Sequence, residues 1–97
     1  MPPFDPSVID EVIHGRIRLG VMAYLADVEV ADFNTLKAAL SATPGNLSIQ
    51  LRKLEDAGYI AIEKSFARRK PLTRARITPA GRKAFASYLD AIGKLIG

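Results

Sequence analysis

Between Ile9 and Leu25 the apolar residues Ile9, Val12, Ile13, Ile17, Val21 and Leu25 return every three or four positions, with Met22 alongside. That spacing puts them on one face of a helix, and Ser7 stands where a cap is expected, so the pattern predicts a first helix over 7–26. Residues 1–6 include three prolines and read as an irregular arm. Gly15 and Gly20 interrupt the helical pattern, each at about 1 kcal/mol against alanine. Close packing of another backbone, such as a dimer partner's, would offset that. Val28 to Phe33 reads as a stub of strand. Asn34 is the expected N-cap of a short helix over Thr35 to Leu40, with Leu36, Ala39 and Leu40 facing inward. After a tight turn at Ser41 and Ala42, Thr43-Pro44 supplies a cap followed by proline at the first helical position, where a missing N–H is no loss. Leu47, Leu51 and Leu54 give this third helix a buried stripe to Ala57, and Gly58 ends it in the left-handed conformation.

Past Gly58 the period changes from helical to alternating. Ile60 and Ile62 alternate with Ala61 and Glu63, and Ala75 and Ile77 alternate with Arg74 and Arg76. The pair reads as a hairpin over 60–77 with a basic tip at Ala67 to Pro71. Thr78-Pro79 repeats the cap-plus-proline start, and a last helix over 79–96 carries Phe85, Leu89, Ile92 and Ile96 on one stripe, broadened by Tyr88 and Leu95. Two helices joined by a tight turn over 34–57, followed by a basic hairpin, is the order of a winged helix-turn-helix. The expected fold is mainly α with a small β-hairpin (α+β), one domain over 1–97, with flanking N- and C-terminal dimerisation helices.

Composition narrows the function. Ninety-seven residues make one domain. The chain has no cysteine, so disulfides and thiolate metal sites are excluded. Its N-terminus is neither basic nor continuously apolar, and no apolar run approaches a membrane span, so a cytoplasmic protein is expected. The net charge of +4 is unevenly spread. Acids outnumber bases up to Leu40, whereas from Ile60 to Lys83 Glu63 is the single acid among Lys64, Arg68, Arg69, Lys70, Arg74, Arg76, Arg82 and Lys83. A basic end of this kind is the electrostatic footprint of a nucleic-acid surface.

An α-helix fits the major groove of B-DNA. On the third helix the outward set near the N-terminus is small, amide-bearing or hydroxyl-bearing: Thr43, Pro44, Gly45, Asn46, Ser48 and Gln50, with Ile49, Arg52 and Lys53 beside them. Asn46 and Gln50 can each bond adenine through two groups, Ile49 can meet a thymine methyl, and the free N–H groups at the helix start can take a phosphate. On the wing, Arg68, Arg69 and Lys70 are placed to enter a minor groove while Arg74 and Arg76 hold flanking phosphates. The apolar stripes of the terminal helices, at Ile9, Ile13, Ile17, Leu89, Ile92, Leu95 and Ile96, extend beyond what so small a domain covers and read as a homodimer interface. Two recognition helices in such a dimer meet successive major grooves.

The stretch from Phe33 to Leu40 and the run Thr43-Pro-Gly-Asn-Leu-Ser-Ile-Gln-Leu-Arg-Lys-Leu-Glu-Asp-Ala-Gly-Tyr-Ile resemble the MarR-like winged-helix regulators, most closely their short single-domain members. Leu72-Thr-Arg-Ala-Arg-Ile-Thr-Pro-Ala-Gly-Arg is similar to the family's wing strand and the start of its last helix, and Ile13 to Leu19 resembles the first helix of the short members. The resemblance implies a transcriptional regulator acting as a homodimer on double-stranded DNA, with its recognition helix over Pro44 to Ala57 and its wing over Ile60 to Ile77. Longer members carry further C-terminal helices and often a ligand pocket. This chain ends after one such helix, which leaves little room for a small-molecule effector.

Other chemistry finds little support. His14 is the single histidine, and with no cysteine it makes no convincing metal site even with Asp10 and Glu11 nearby; as an interfacial residue it would be sensitive to pH. No glycine-rich phosphate loop is present, and a catalytic triad would have to use His14, so neither an enzyme nor a bound cofactor is expected. The alternative function is a winged-helix protein-interaction module whose basic wing meets an acidic partner.

Overall fold

The computed structural model describes residues 8–96. They fold into four helices and a three-stranded antiparallel sheet, in the order α1 (Arg16–Val28), β1 (Val30–Asp32), α2 (Phe33–Leu40), α3 (Pro44–Asp56), β2 (Ile60–Ala67), β3 (Lys70–Ile77) and α4 (Pro79–Ile96). The α+β winged arrangement is as expected. The arm over 1–6 and the Ser7 cap lie outside the described residues.

The first helix is shorter than the periodicity predicts. It begins at Arg16, and Gly15 before it is extended, at φ −155° and ψ 140°. The cause is local. The carboxylate of Asp10 accepts the N–H groups of Val12 at 2.8 Å and Ile13 at 3.3 Å, capping a single turn that the chain leaves through the extended Gly15. Ile13 and Ile17 are still buried, at 0% and 6% exposure, so the stripe reports burial correctly even where its first half is not helical.

The helix-turn-helix follows the expected path with one change of cap. Asp32, rather than Asn34, caps α2 by accepting the N–H of Thr35 at 2.7 Å. Asp32 is also the last residue of β1, so strand end and helix start share a side chain. Leu36 is buried and Leu40 half-buried, whereas Ala39 is exposed. Ser41 ends α2 in the left-handed region, at φ 50°. Thr43 caps α3 by accepting the N–H of Asn46 at 3.2 Å, and Pro44 is the first helical residue. At the far end Gly58 has φ 80°, and the N–H groups of Gly58 and Tyr59 return to the carbonyls of Glu55 and Leu54. This doubled closure satisfies the last carbonyls of α3 and turns the chain into β2.

The sheet order is β1-β3-β2, so β3 is central. β2 and β3 pair from Ile60↔Ile77 to Ala67↔Lys70, leaving a two-residue turn at Arg68 and Arg69. The turn is tighter than the five-residue tip expected, and both its residues have positive φ, 51° and 67°. The strand stub is present as β1, which pairs with β3 only at the root of the wing, from Val30↔Arg76 to Asp32↔Arg74.

The core joins Ile17, Val21, Met22 and Leu25 of α1, Leu36 of α2, Leu47, Leu51 and Leu54 of α3, and Ile60, Ala75 and Ile77 of the sheet, with Ile13 and Tyr88 completing it. Gly20 of α1 faces Leu40 of α2, where an added Cβ would lie 2.7 Å from Leu40 Cδ2. Its close neighbour is therefore within the chain. Thr78 anchors α4: its hydroxyl accepts the N–H of Gly81 at 2.9 Å and donates to the carbonyl of Gly58 at 2.6 Å. Gly81 packs so tightly that an added Cβ would lie 2.0 Å from the carbonyl oxygen of Tyr59. Along α4 the face against the body is centred on Tyr88, with Phe85 and Ile92 beside it, while Leu89 and Ile96 of the expected stripe are 51% and 83% exposed. No helix among the described residues is long and apolar enough to cross a membrane.

Candidate nucleic-acid interface

The capping of α3 decides which of its faces is free. With Leu47, Leu51 and Leu54 turned into the core, Thr43, Pro44, Gly45, Asn46, Ser48, Ile49, Arg52 and Lys53 are all exposed, and Gln50 is half-buried. Ile49 is 57% exposed, an apolar side chain in a polar face. α3 and the wing flank one open groove of about 610 Å³, lined by Phe33, Ser48 and Arg52 on one side and Ile62, Lys64 and Thr73 on the other.

The wing divides its basic residues by face. Alternation along the strands puts Ile62, Lys64 and Thr73 on the groove side and Arg74 and Arg76 on the opposite side. Arg68, Arg69 and Lys70 are exposed at the tip. Arg76, expected as a phosphate anchor, is paired within the chain. Its Nε donates to Glu63 Oε1 at 2.8 Å, and Nη1 lies 3.8 Å from Glu29 Oε2. The hydrogen bond to Glu63 and the negative charge of that carboxylate hold the guanidinium pKa above its ordinary value, with a smaller contribution from Glu29. Arg74 is exposed, in register with Glu63 and Asp32.

Gln50 likewise has partners that its spacing did not reveal. Its carbonyl accepts from Arg18 Nη1, and its amide donates to Asn46 Oδ1 at 3.0 Å. Of the expected readers, Asn46 and Ile49 face solvent, and Gln50 is held behind Asn46.

The expected dimer residues separate in the same way. Ile13 and Ile17 lie inside the monomer core and cannot meet a partner; the small core consumes them. Ile9 and Ile92 are partly buried against that core, whereas Leu89, Leu95 and Ile96 are 51%, 37% and 83% exposed. His14 is exposed, and its Nδ1 lies 2.8 Å from the hydroxyl of buried Tyr88, tying the N-terminal turn to α4.

Three residues of the surface were missed from sequence. Lys64 and Thr73 line the groove, a placement readable by extending the Ile60, Ile62 alternation two residues further. Phe66, opposite Pro71 near the tip, is 76% exposed among basic residues.

Residues 17–96 match the family model for the winged helix DNA-binding domain. An uncharacterised protein of Methanocaldococcus jannaschii is 35% identical over 85 residues, which is 88% of this chain and 92% of that one. Among solved structures, the transcriptional regulator homologue from Pyrococcus horikoshii OT3 superposes with a TM-score of 0.84 at 31% identity, covering 90% of this chain and 86% of that one. NadR in complex with 4-hydroxyphenylacetate shares the fold at 20% identity and TM-score 0.70, over 94% of this chain and 69% of that one. The antimony-specific transcriptional repressor AntR does so at 22% and 0.64, over 89% and 75%. The chain belongs to the winged helix DNA-binding domain family.

Proposed function

We propose that the chain is a sequence-specific double-stranded DNA-binding transcriptional regulator acting as a homodimer. The observation that carries this is the exposed polar face of α3 from Thr43 to Lys53, beside an open groove that runs from its Ser48 and Arg52 to Lys64 and Thr73 of the wing, whose tip is basic and exposed. In this reading α3 enters the major groove N-terminus first, with Asn46 at an adenine edge and Ile49 at a thymine methyl. Thr43, Pro44, Gly45 and Ser48 bring the helix start against the backbone, where its free N–H groups favour phosphate. Arg52, Lys53 and Lys64 take phosphates along the groove walls, and Arg68, Arg69 and Lys70 carry the wing tip into or along the minor groove. Arg74 approaches the backbone from the wing's other face. A second copy covers the apolar residues that α4 leaves exposed, Leu89, Leu95 and Ile96, together with the half-buried Ile9 and Ile92.

The test is binding to duplex DNA across a salt series. Affinity should fall steeply with salt, because each phosphate contact releases counterions. A flat dependence refutes the reading and favours the protein-interaction alternative. Recovery of an inverted repeat from a random duplex library supports both base reading and two-fold symmetry.

A further inference from the structure

We propose that Arg18 is a positioning residue for base readout: it sets which end of the Gln50 amide faces Asn46, and so which groups Asn46 offers to DNA. The inference rests on the reading of α3 as the recognition helix. Arg18 belongs to α1, outside the helix-turn-helix and the wing, and is half-buried. Its Nε donates to the carbonyl of Val12 at 2.5 Å and its Nη2 to that of Glu11 at 3.4 Å, leaving Nη1 for Gln50. The turn that supplies those carbonyls is itself fastened. Asp10 closes it through Oδ1 and accepts the Tyr59 hydroxyl on Oδ2 at 2.5 Å. The guanidinium is therefore held from behind before it meets Gln50.

Donor and acceptor counting gives the consequence. A guanidinium has N–H donors and no acceptor, so the amide that faces it must present oxygen. Gln50 then turns its NH2 the other way, onto Asn46 Oδ1 at 3.0 Å. Asn46, receiving a donor, keeps that oxygen inward and leaves its own NH2 and one remaining lone pair outward. Those two groups match the N7 acceptor and N6 donor of adenine in the major groove. An isolated amide pair can turn over at both members and show either end to a base. Arg18 removes that freedom by contacting Gln50 alone.

Gly15 supplies a separate observation. A Cβ added there would lie 2.6 Å from Arg18 Nη2 and 2.8 Å from Cζ. Its backbone is ordinary extended chain that any residue adopts, and the three nearest atoms an added side chain meets all belong to the guanidinium. Gly15→Ala thus displaces the fork while keeping its charge.

The experiment selects sequences from a random duplex library with the full chain, Arg18→Ala and Gly15→Ala. It then measures affinity for the selected duplex and a scrambled one, alongside thermal unfolding. The wild-type chain should prefer one base pair at the Asn46 position by about ten-fold or more, the range of a good two-bond contact. Both variants should flatten that position to within about three-fold while holding scrambled DNA nearly as before. A preference that survives both variants, or a loss shared equally by selected and scrambled DNA, overturns the positioning role. If the wild-type chain enriches no sequence at all, the recognition-helix reading fails first and the positioning role falls with it.

Discussion

The wing turn sets stability against charge. Arg68 and Arg69 both have positive φ, the geometry of a two-residue hairpin turn that asparagine and glycine adopt most readily. A side chain with a Cβ pays about 1–2 kcal/mol per residue in the left-handed region. Arg68→Asn recovers a few tenths of this, because asparagine tolerates the conformation but retains a Cβ. Arg69→Gly removes the penalty outright but returns about 0.7 kcal/mol through the wider freedom of glycine in the unfolded chain. The double variant R68N/R69G should therefore gain about 1 kcal/mol, which for a 97-residue domain raises Tm by about 5 °C. The same change removes two tip cations. Each lost phosphate contact lowers the slope of log affinity against log salt by about 0.9, so a dimer losing two contacts per wing should show a slope shallower by about 3.6. Thermal unfolding and a salt titration on one duplex read both effects. If the variant is no more stable, the turn is not strained. If it is more stable and its salt slope is unchanged, the tip does not touch the backbone.

Other outcomes follow from single contacts. Gly81→Ala should lose about 3 kcal/mol in urea denaturation, because its Cβ would meet a backbone carbonyl that cannot move without shifting β2. Arg76→Ala should weaken DNA binding far less than Arg69→Ala at equal salt, since two carboxylates already neutralise Arg76. The hydrogen bond to Asp10, with burial and the Asp10 charge, holds the Tyr59 pKa above its ordinary 10.0. A raised tyrosine pKa contributes stability that is complete below pH 10.0 and is lost as pH climbs through the folded value. Wild-type protein should therefore lose more stability between pH 9.5 and 11, set about the ordinary tyrosine value, than Tyr59→Phe does. Equal losses would show that the Asp10 contact does not persist in solution.

What could be read from sequence was whatever a short span of residues decides. Thr43, Pro44 and Gly58 bound α3 by cap chemistry alone, and its leucine stripe assigned every inward position. The alternation of Ala75 and Ile77 with their arginines likewise placed the wing strand. Errors arose where two chemistries competed or where a partner lay far along the chain. Asp10 and Gly15 override a helical period that extends through them. Asp32 outcompetes Asn34 as a cap because it is already held in β1. Gln50 and Arg76 have surface spacing, yet their partners are Arg18, Glu29 and Glu63, at separations no periodicity encodes. Ile13 and Ile17 carry the same signature as a dimer seam because a stripe records only that a residue is covered, not by which chain.

The limited extent of β1 makes the hairpin mechanically uneven. From Arg74 to Arg76 the strand β3 is braced on both sides, whereas from Lys70 to Thr73 it is held by β2 alone. The inner half therefore behaves as a mount and the outer half as a spring leaf. If the wing meets DNA as proposed, bending strain would concentrate in the outer half and be absorbed before it reached the helices. Amide exchange should divide at that boundary, fast toward the tip and slow at the base. The outer half is also where hairpin length can be changed without disturbing the core.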